Sequence, residues 1–192
     1  MAVSSPIICG RSRGRTQITR FADEISGAQF GSGGNLYLLS RHDAPMGKVL
    51  ERALANPRLD QAKVLVPEGK LAIQGMLAAG RRLYVFDQAG GPSQVRAFRA
   101  DGGPADVLPL PPVAGVAGAA PAGGDKLVLR IATLVSPAAW HYYDPTAKKL
   151  GLTGLRETGA ADFSDAEVLR EFATSLDGTK CRSILSAAKA RT

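Results

Sequence analysis

The sequence predicts an all-β protein built from three consecutive four-stranded antiparallel blades of a β-propeller, an incomplete ring, with a β-hairpin at the end. Three observations carry this. In the middle of the chain, Leu71 to Pro111, four apolar runs of strand length are divided by the turn signals Gly80-Arg81, Ala89-Gly90-Gly91-Pro92 and Asp101-Gly102-Gly103. The pattern recurs on either side: Leu36-Tyr37, Leu83-Tyr84 and Leu127-Val128 each open an apolar run, at steps of 47 and 44 residues. The following run keeps the same register, with Val49-Leu50, Val95-Arg96 and Trp140-His141 separated by 46 and 45. A period of this size with about four strands per unit marks propeller blades, each of which buries its faces only against neighbours.

The elements follow in order. Residues 1–16 have no clear period and are expected to be irregular. Gln17 to Arg20 reads as a short strand and Ile25 to Phe30 as an innermost one, rich in the small residues a crowded axis wants. Asn35 to Ser40 is apolar at four consecutive positions, as a strand buried on both faces requires. Arg41 to Gly47 is a loop. Lys48 to Ala55 has helical spacing at Val49, Leu50, Ala53 and Leu54, but its register with Gln94 to Phe98 and Trp140 to Tyr143 makes it a strand. Ala62 to Val66, stopped by Pro67, completes a first unit over 17–69.

The second unit spans 70–112. Val113 to Gly124, VAGVAGAAPAGG, resembles a linker in composition, yet its position matches Leu71 to Gly80 and assigns it as an inner strand. Lys126 to Leu134, Ala138 to Tyr143, a turn at Asp144-Pro145-Thr146 and Lys149 to Leu155 complete a third unit over 113–160. The last segment, 161–192, is ambiguous by local rules. Ser164-Asp165-Ala166-Glu167 has capping-box spacing before Val168, Leu169, Phe172 and Ala173, whereas Asp177-Gly178 signals a hairpin between Val168-to-Thr174 and Lys180-to-Leu185.

Bulk properties exclude several function classes. The 192 residues are 45% hydrophobic, much of it Ala, and no run approaches the ~18 apolar residues of a membrane span. Val3 to Cys9 is broken by Ser4, Ser5 and Pro6, so no secretory signal is expected and the chain is placed in the cytoplasm, with the periplasm as the alternative for an intact protein. The net charge is +7, but Arg11, Arg13, Arg15 and Arg20 at one end and Lys180, Arg182, Lys189 and Arg191 at the other supply eight charges, which leaves −1 for residues 21–177. A balanced body with basic ends is not a phosphate-binding face, so no nucleic-acid partner is expected. Cys9 and Cys181 lie far apart without metal-ligand spacing and read as free thiols.

Four stretches carry a resemblance: Leu36-to-His42 (LYLLSRH), Ala62-to-Glu68 (AKVLVPE), Pro137-to-Asp144 (PAAWHYYD) and Asp162-to-Lys180 (DFSDAEVLREFATSLDGTK). Together they resemble the seven-bladed propeller of the prolyl oligopeptidase family of serine peptidases, over roughly residues 17–180, as its last three blades. The most specific piece is Ser175-Leu176-Asp177-Gly178-Thr179-Lys180. In the family this is the hairpin by which the chain re-enters the α/β-hydrolase domain, and the resemblance therefore makes Val168 to Thr174 a strand. It also implies that the nucleophile, acid and histidine lie beyond this hairpin, so the chain carries no catalytic residue. The likeness fades at Met1 to Thr16 and after Lys180, where Cys181-Arg182-Ser183 replaces a hydrophobic-Pro pair, as expected of a gene fragment with altered ends.

Candidate chemistry is sparse. Gly10-Arg11-Ser12-Arg13-Gly14 matches the Gly-x-Ser-x-Gly nucleophile elbow, but that motif works only between a strand and a helix, and Arg15 to Arg20 is a poor helix start. His42 and His141 are the only candidate bases; His42, in a polar loop, reads as solvent-facing, and His141, opposite in facing to Trp140 on one strand, as a packed or surface residue. Trp140, Tyr142 and Tyr143 form either a recognition patch or inter-blade packing, and packing is the expectation. Asp162, Asp165, Glu167 and Glu171 are too irregular for a metal loop. No catalytic, cofactor-binding or metal-ligating residue is assigned. The resemblance implies the substrate-gating part of an endopeptidase that hydrolyses short peptides after proline, with a peptidase domain as partner. The rivals are a free-standing propeller interaction scaffold and a small hydrolase built on Ser12.

Overall fold

The computed structural model describes residues 8–11, 14–100, 102–103, 105–159, 163 and 165–188. Strands β1 (Ile8–Arg11) and β2 (Gly14–Gln17) pair antiparallel at the start. Three four-stranded antiparallel sheets follow, each laid down in chain order. The first is β3 (Ile25–Phe30), β4 (Asn35–Ser40), β5 (Lys48–Ala53) and β6 (Lys63–Val66). The second is β7 (Ala72–Ala79), β8 (Arg82–Gln88), β9 (Ser93–Arg99) and the two-residue β10 (Asp106–Val107). The third is β11 (Gly115–Pro121), β12 (Leu127–Ala132), β13 (Ala139–Asp144) and β14 (Lys149–Arg156). A separate hairpin, β15 (Ala166–Thr174) with β16 (Lys180–Ala188), ends the described chain. This is an all-β sector of a propeller, and the ring is not closed.

The sheets are held by side chains that alternate between neighbours. In β4, Leu36 and Leu38 join Ile18 and Ile25 on one side, while Tyr37 and Leu39 meet Val49, Val66 and, from the second sheet, Ile73, Met76, Leu83 and Val85. In β8, Leu83 and Val85 face the first sheet and Tyr84 faces the third, where Val95, Ala97, Leu127, Leu129 and Tyr143 complete a second core. Both faces of β4 and β8 are thus dry, which is why their sequences run apolar without alternating. Each fully buried Leu or Val there contributes about 2 kcal/mol by area. Tyr84 and Tyr143 meet edge to face with centroids 6.2 Å apart.

The helical spacing of 48–55 loses to this packing: Val49 is wholly buried, paired with Leu39 and Val66, a contact no isolated helix would supply. The Ala/Gly-rich 113–124 contains β11, next to β7, where small side chains let the inner strands approach. At the terminal hairpin the capping-box spacing yields to nine cross-strand pairs closed at Asp177-Gly178, with Gly178 at φ +84. The backbone N–H of Thr179 donates to Asp177 and holds that carboxyl below its usual range.

Two expectations need correction. The irregular 1–16 includes β1 and most of β2, whose weakly apolar sequences gave no period; they are defined by their antiparallel backbone pairing. Of the strand expected at Gln17 to Arg20, only Gln17 belongs to β2. Asp23 accepts the Arg20 N–H at 2.6 Å and draws Phe21–Asp23 into a 3-10 turn instead. Among the described residues no helix is long and apolar enough to cross a membrane.

Candidate functional site

The innermost strands share a device. Pairing skips one residue between Ile25 and Gly27, between Ile73 and Gly75, and between Val116 and Gly118. A bulge thus sits at Ser26, Gln74 and Ala117, always after Ile or Val and before Gly. The bulged residue leaves the ladder and the strand turns more sharply, so Ser26, Gln74 and Ala117 are exposed on the inner edge while the preceding Ile25 and Ile73 are buried. β7 lies beside β3 on one side and β11 on the other. Between β7 and β11, Gln74, Gly75, Met76, Leu77 and residues 116–119 line an open groove of about 290 Å³ with Phe86. Mostly apolar, with Gln74 its one polar side chain, this lining can sort guests by size and contains no charged group for bond making.

Hydrogen bonds lock the sheets together at both ends of this wall. Near the bulges, Ile73 N donates to Met46 O at 2.8 Å, Arg41 donates to the Ile73 carbonyl, and Ser93 N donates to Ala114 O at 2.8 Å. Val116 N donates to Ser93 Oγ at 3.0 Å. At the other end of β8, the Asp125 carboxylate accepts Arg81 N at 2.7 Å, and its carbonyl accepts the Tyr84 hydroxyl. Burial raises the Tyr84 phenol well above the ordinary value of 10.0. The turn between β8 and β9 receives the hairpin: Arg170 and Arg182 donate to Ala89 O at 2.6 and 3.2 Å.

Among the described residues singled out by sequence, no triad assembles. Ser12 and Arg13 lie outside the described residues, as does Asp162. His42 is exposed in its loop, 3.3 Å from Asp43. His141 shares a sheet face with Leu129 and Tyr143, and its Nδ1 is 3.2 Å from Ala139 O. Asp165, Glu167 and Glu171 are exposed, and no metal-ligand group of three occurs among the described residues. Cys181 is a free, exposed thiol. The aromatic trio divides: Tyr143 is packed between second and third sheets, while Trp140 and Tyr142 share the opposite face with Val128 and Arg130. Sequence reasoning missed the bulges; the signal was present as Ile-Ser-Gly, Ile-Gln-Gly and Val-Ala-Gly, one copy per unit.

Known structures share this fold. One of two prolyl endopeptidases studied for inter-domain dynamics is 19% identical, with a TM-score of 0.73 over 93% of this chain and 26% of its own. Prolyl oligopeptidase B of Galerina marginata is 17% identical, with a TM-score of 0.76 over 95% of this chain and 27% of its own. Oligopeptidase B of Trypanosoma brucei is 20% identical, with a TM-score of 0.67 over 94% and 26%. The chain therefore spans about a quarter of the length of the structures it matches. No curated protein sequence matches it. The prolyl oligopeptidase N-terminal beta-propeller domain, as a family model, matches residues 15–154, and the chain belongs to that family.

Proposed function

We propose that the chain is the substrate-gating sector of a prolyl-oligopeptidase-like serine endopeptidase, the part of the propeller that covers the active site and admits short proline-containing peptides. The observation that supports this is the axial wall: three adjacent inner strands, each bulged at the same place, present Ser26, Gln74 and Ala117 beside small or apolar strand residues, with the Arg41 guanidinium on the Ile73 carbonyl next to them. Such a wall selects by width. Units 17–69, 70–112 and 113–160 each contribute one inner strand, and the hairpin docked at Ala89 leads toward the peptidase domain. Hydrolysis on the carboxyl side of proline by Ser-His-Asp acyl transfer belongs to that partner domain. The residues of this chain exclude and position; they move no proton. A solved Galerina marginata relative holds a 35mer substrate for hydrolysis and macrocyclization, in keeping with peptides as guests. We place the protein in the cytoplasm.

The test combines this chain in trans with a separately produced peptidase domain of the family. Hydrolysis of a protein-sized proline-containing substrate is expected to fall as the chain is added, while hydrolysis of a short peptide is spared. An equal effect on both, or none, refutes gating.

A further inference from the structure

The two ends of the stack of sheets differ. At the far end, pairing sets Val128 opposite Tyr142 and Arg130 opposite Trp140, with Gly118 and Ala120 of β11 beside them, on the face of the third sheet turned away from Leu127, Leu129 and Tyr143. Among the described residues no further sheet follows on that face. In the first two sheets the matching places are dry: Tyr37 is 1% exposed, and Tyr84, Val49 and Val95 are wholly buried against the next sheet. In the third, Val128, Trp140 and Tyr142 are only half-buried and belong to none of the cores. The near end is closed. Leu36 and Leu38 of β4 point away from the second sheet, yet both are buried beneath Ile18, Leu54 and Leu59 of the flanking segments.

The open face therefore finds no receiving surface at the near end of another copy, which disfavours head-to-tail stacking and leaves the same face of that copy as its match. The charges permit this. Lys126 lies 3.4 Å from Asp144 and over the Tyr142 ring, and Arg130 donates to Glu157, so each cation beside the aromatics already has its acid and two such faces meet without like-charge repulsion. We propose that two copies of the chain associate about a two-fold axis through this face of the third sheet, with Val128, Trp140 and Tyr142 of one against the same residues of the other. The contact continues the face-to-face packing that already joins the three sheets, and it buries an aromatic pair of the kind that anchors interfaces. Neither the bulges nor the hairpin contact at Ala89 takes part, so the inference stands or falls independently of the gating reading.

Sedimentation velocity of the chain at rising concentration tests it, together with the emission of Trp140, the one tryptophan of the sequence. A monomer–dimer equilibrium ending at twice the chain mass is expected, with a blue shift of Trp140 emission along the same curve. Trp140→Glu, which acts twice in a two-fold interface, and the milder Tyr142→Ser should each weaken association about thirtyfold or more while the far-UV circular dichroism keeps its β-signal. Leu176→Ser, at the exposed tip of the terminal hairpin, should leave association unchanged. A monomer at every concentration, open-ended assemblies larger than a dimer, a dimer that forms without the emission shift, one loosened by Leu176→Ser, or one that both face variants leave intact overturns the proposal.

Discussion

Asp87 is the most exacting point in the stack of first and second sheets. Its side chain is 1% exposed, and it shares the β8 face of Leu83 and Val85, directed at the first sheet. Arg96 grips it through Nε at 2.6 Å and Nη2 at 2.8 Å, and lies over the Phe98 ring at 5.2 Å. Asp87→Ala leaves that guanidinium without its anion. Breaking a buried pair costs about 3–5 kcal/mol, and because Arg96 keeps some access to water the lower end applies, about 3 kcal/mol. With a urea m-value of about 2 kcal/mol/M, the unfolding midpoint should fall by about 1.5 M. Adding Arg96→Met removes the stranded cation, and the double variant should return to within about 1 kcal/mol of the unsubstituted chain. The reasoning fails if Asp87→Ala changes stability by less than about 0.5 kcal/mol, or if the double variant is less stable than either single one.

Gly80, at φ +55, has no room for a Cβ, which would meet Asp125 Oδ1 at 2.2 Å and the Gly124 backbone at 2.6 Å; Gly80→Ala should cost about 2 kcal/mol in a thermal or urea melt. The phenols of Tyr37, Tyr84 and Tyr143 are all raised, chiefly by burial. The unfolded chain therefore loses those protons first, so stability holds below the ordinary value of 10.0 and falls as pH rises beyond it, which melts on either side of that pH will show. A fluorophosphonate probe should leave Ser12 unlabelled; stoichiometric labelling would contradict the assignment of chemistry to another domain.

Much of the fold was legible because burial on both faces writes itself into composition. β4 follows from its apolar run and β3 from its small residues before a turn, residue for residue. The recurring registers also prove physical: Tyr37 and Tyr84, like Val49 and Val95, pack toward the following sheet, and Val128 and Trp140 occupy the matching places in the third. What remained hidden rests on groups that composition does not weigh. β1 and β2 are held by backbone pairing, and the 3-10 turn at Phe21 by one carboxylate. The candidate site was least legible of all. A bulge is one skipped pair in an alanine- and glycine-rich strand.

The central claim is that the second sheet is clamped on both faces between two like sheets, as the middle of a propeller sector. Native-state hydrogen exchange resolved by residue tests it most directly. The account predicts slowest exchange for residues 83–87 of β8, opening only with global unfolding, and fast exchange along β16, which packs on little beyond β15 and the turn at Ala89. Exchange in β8 as fast as in β16 would contradict it.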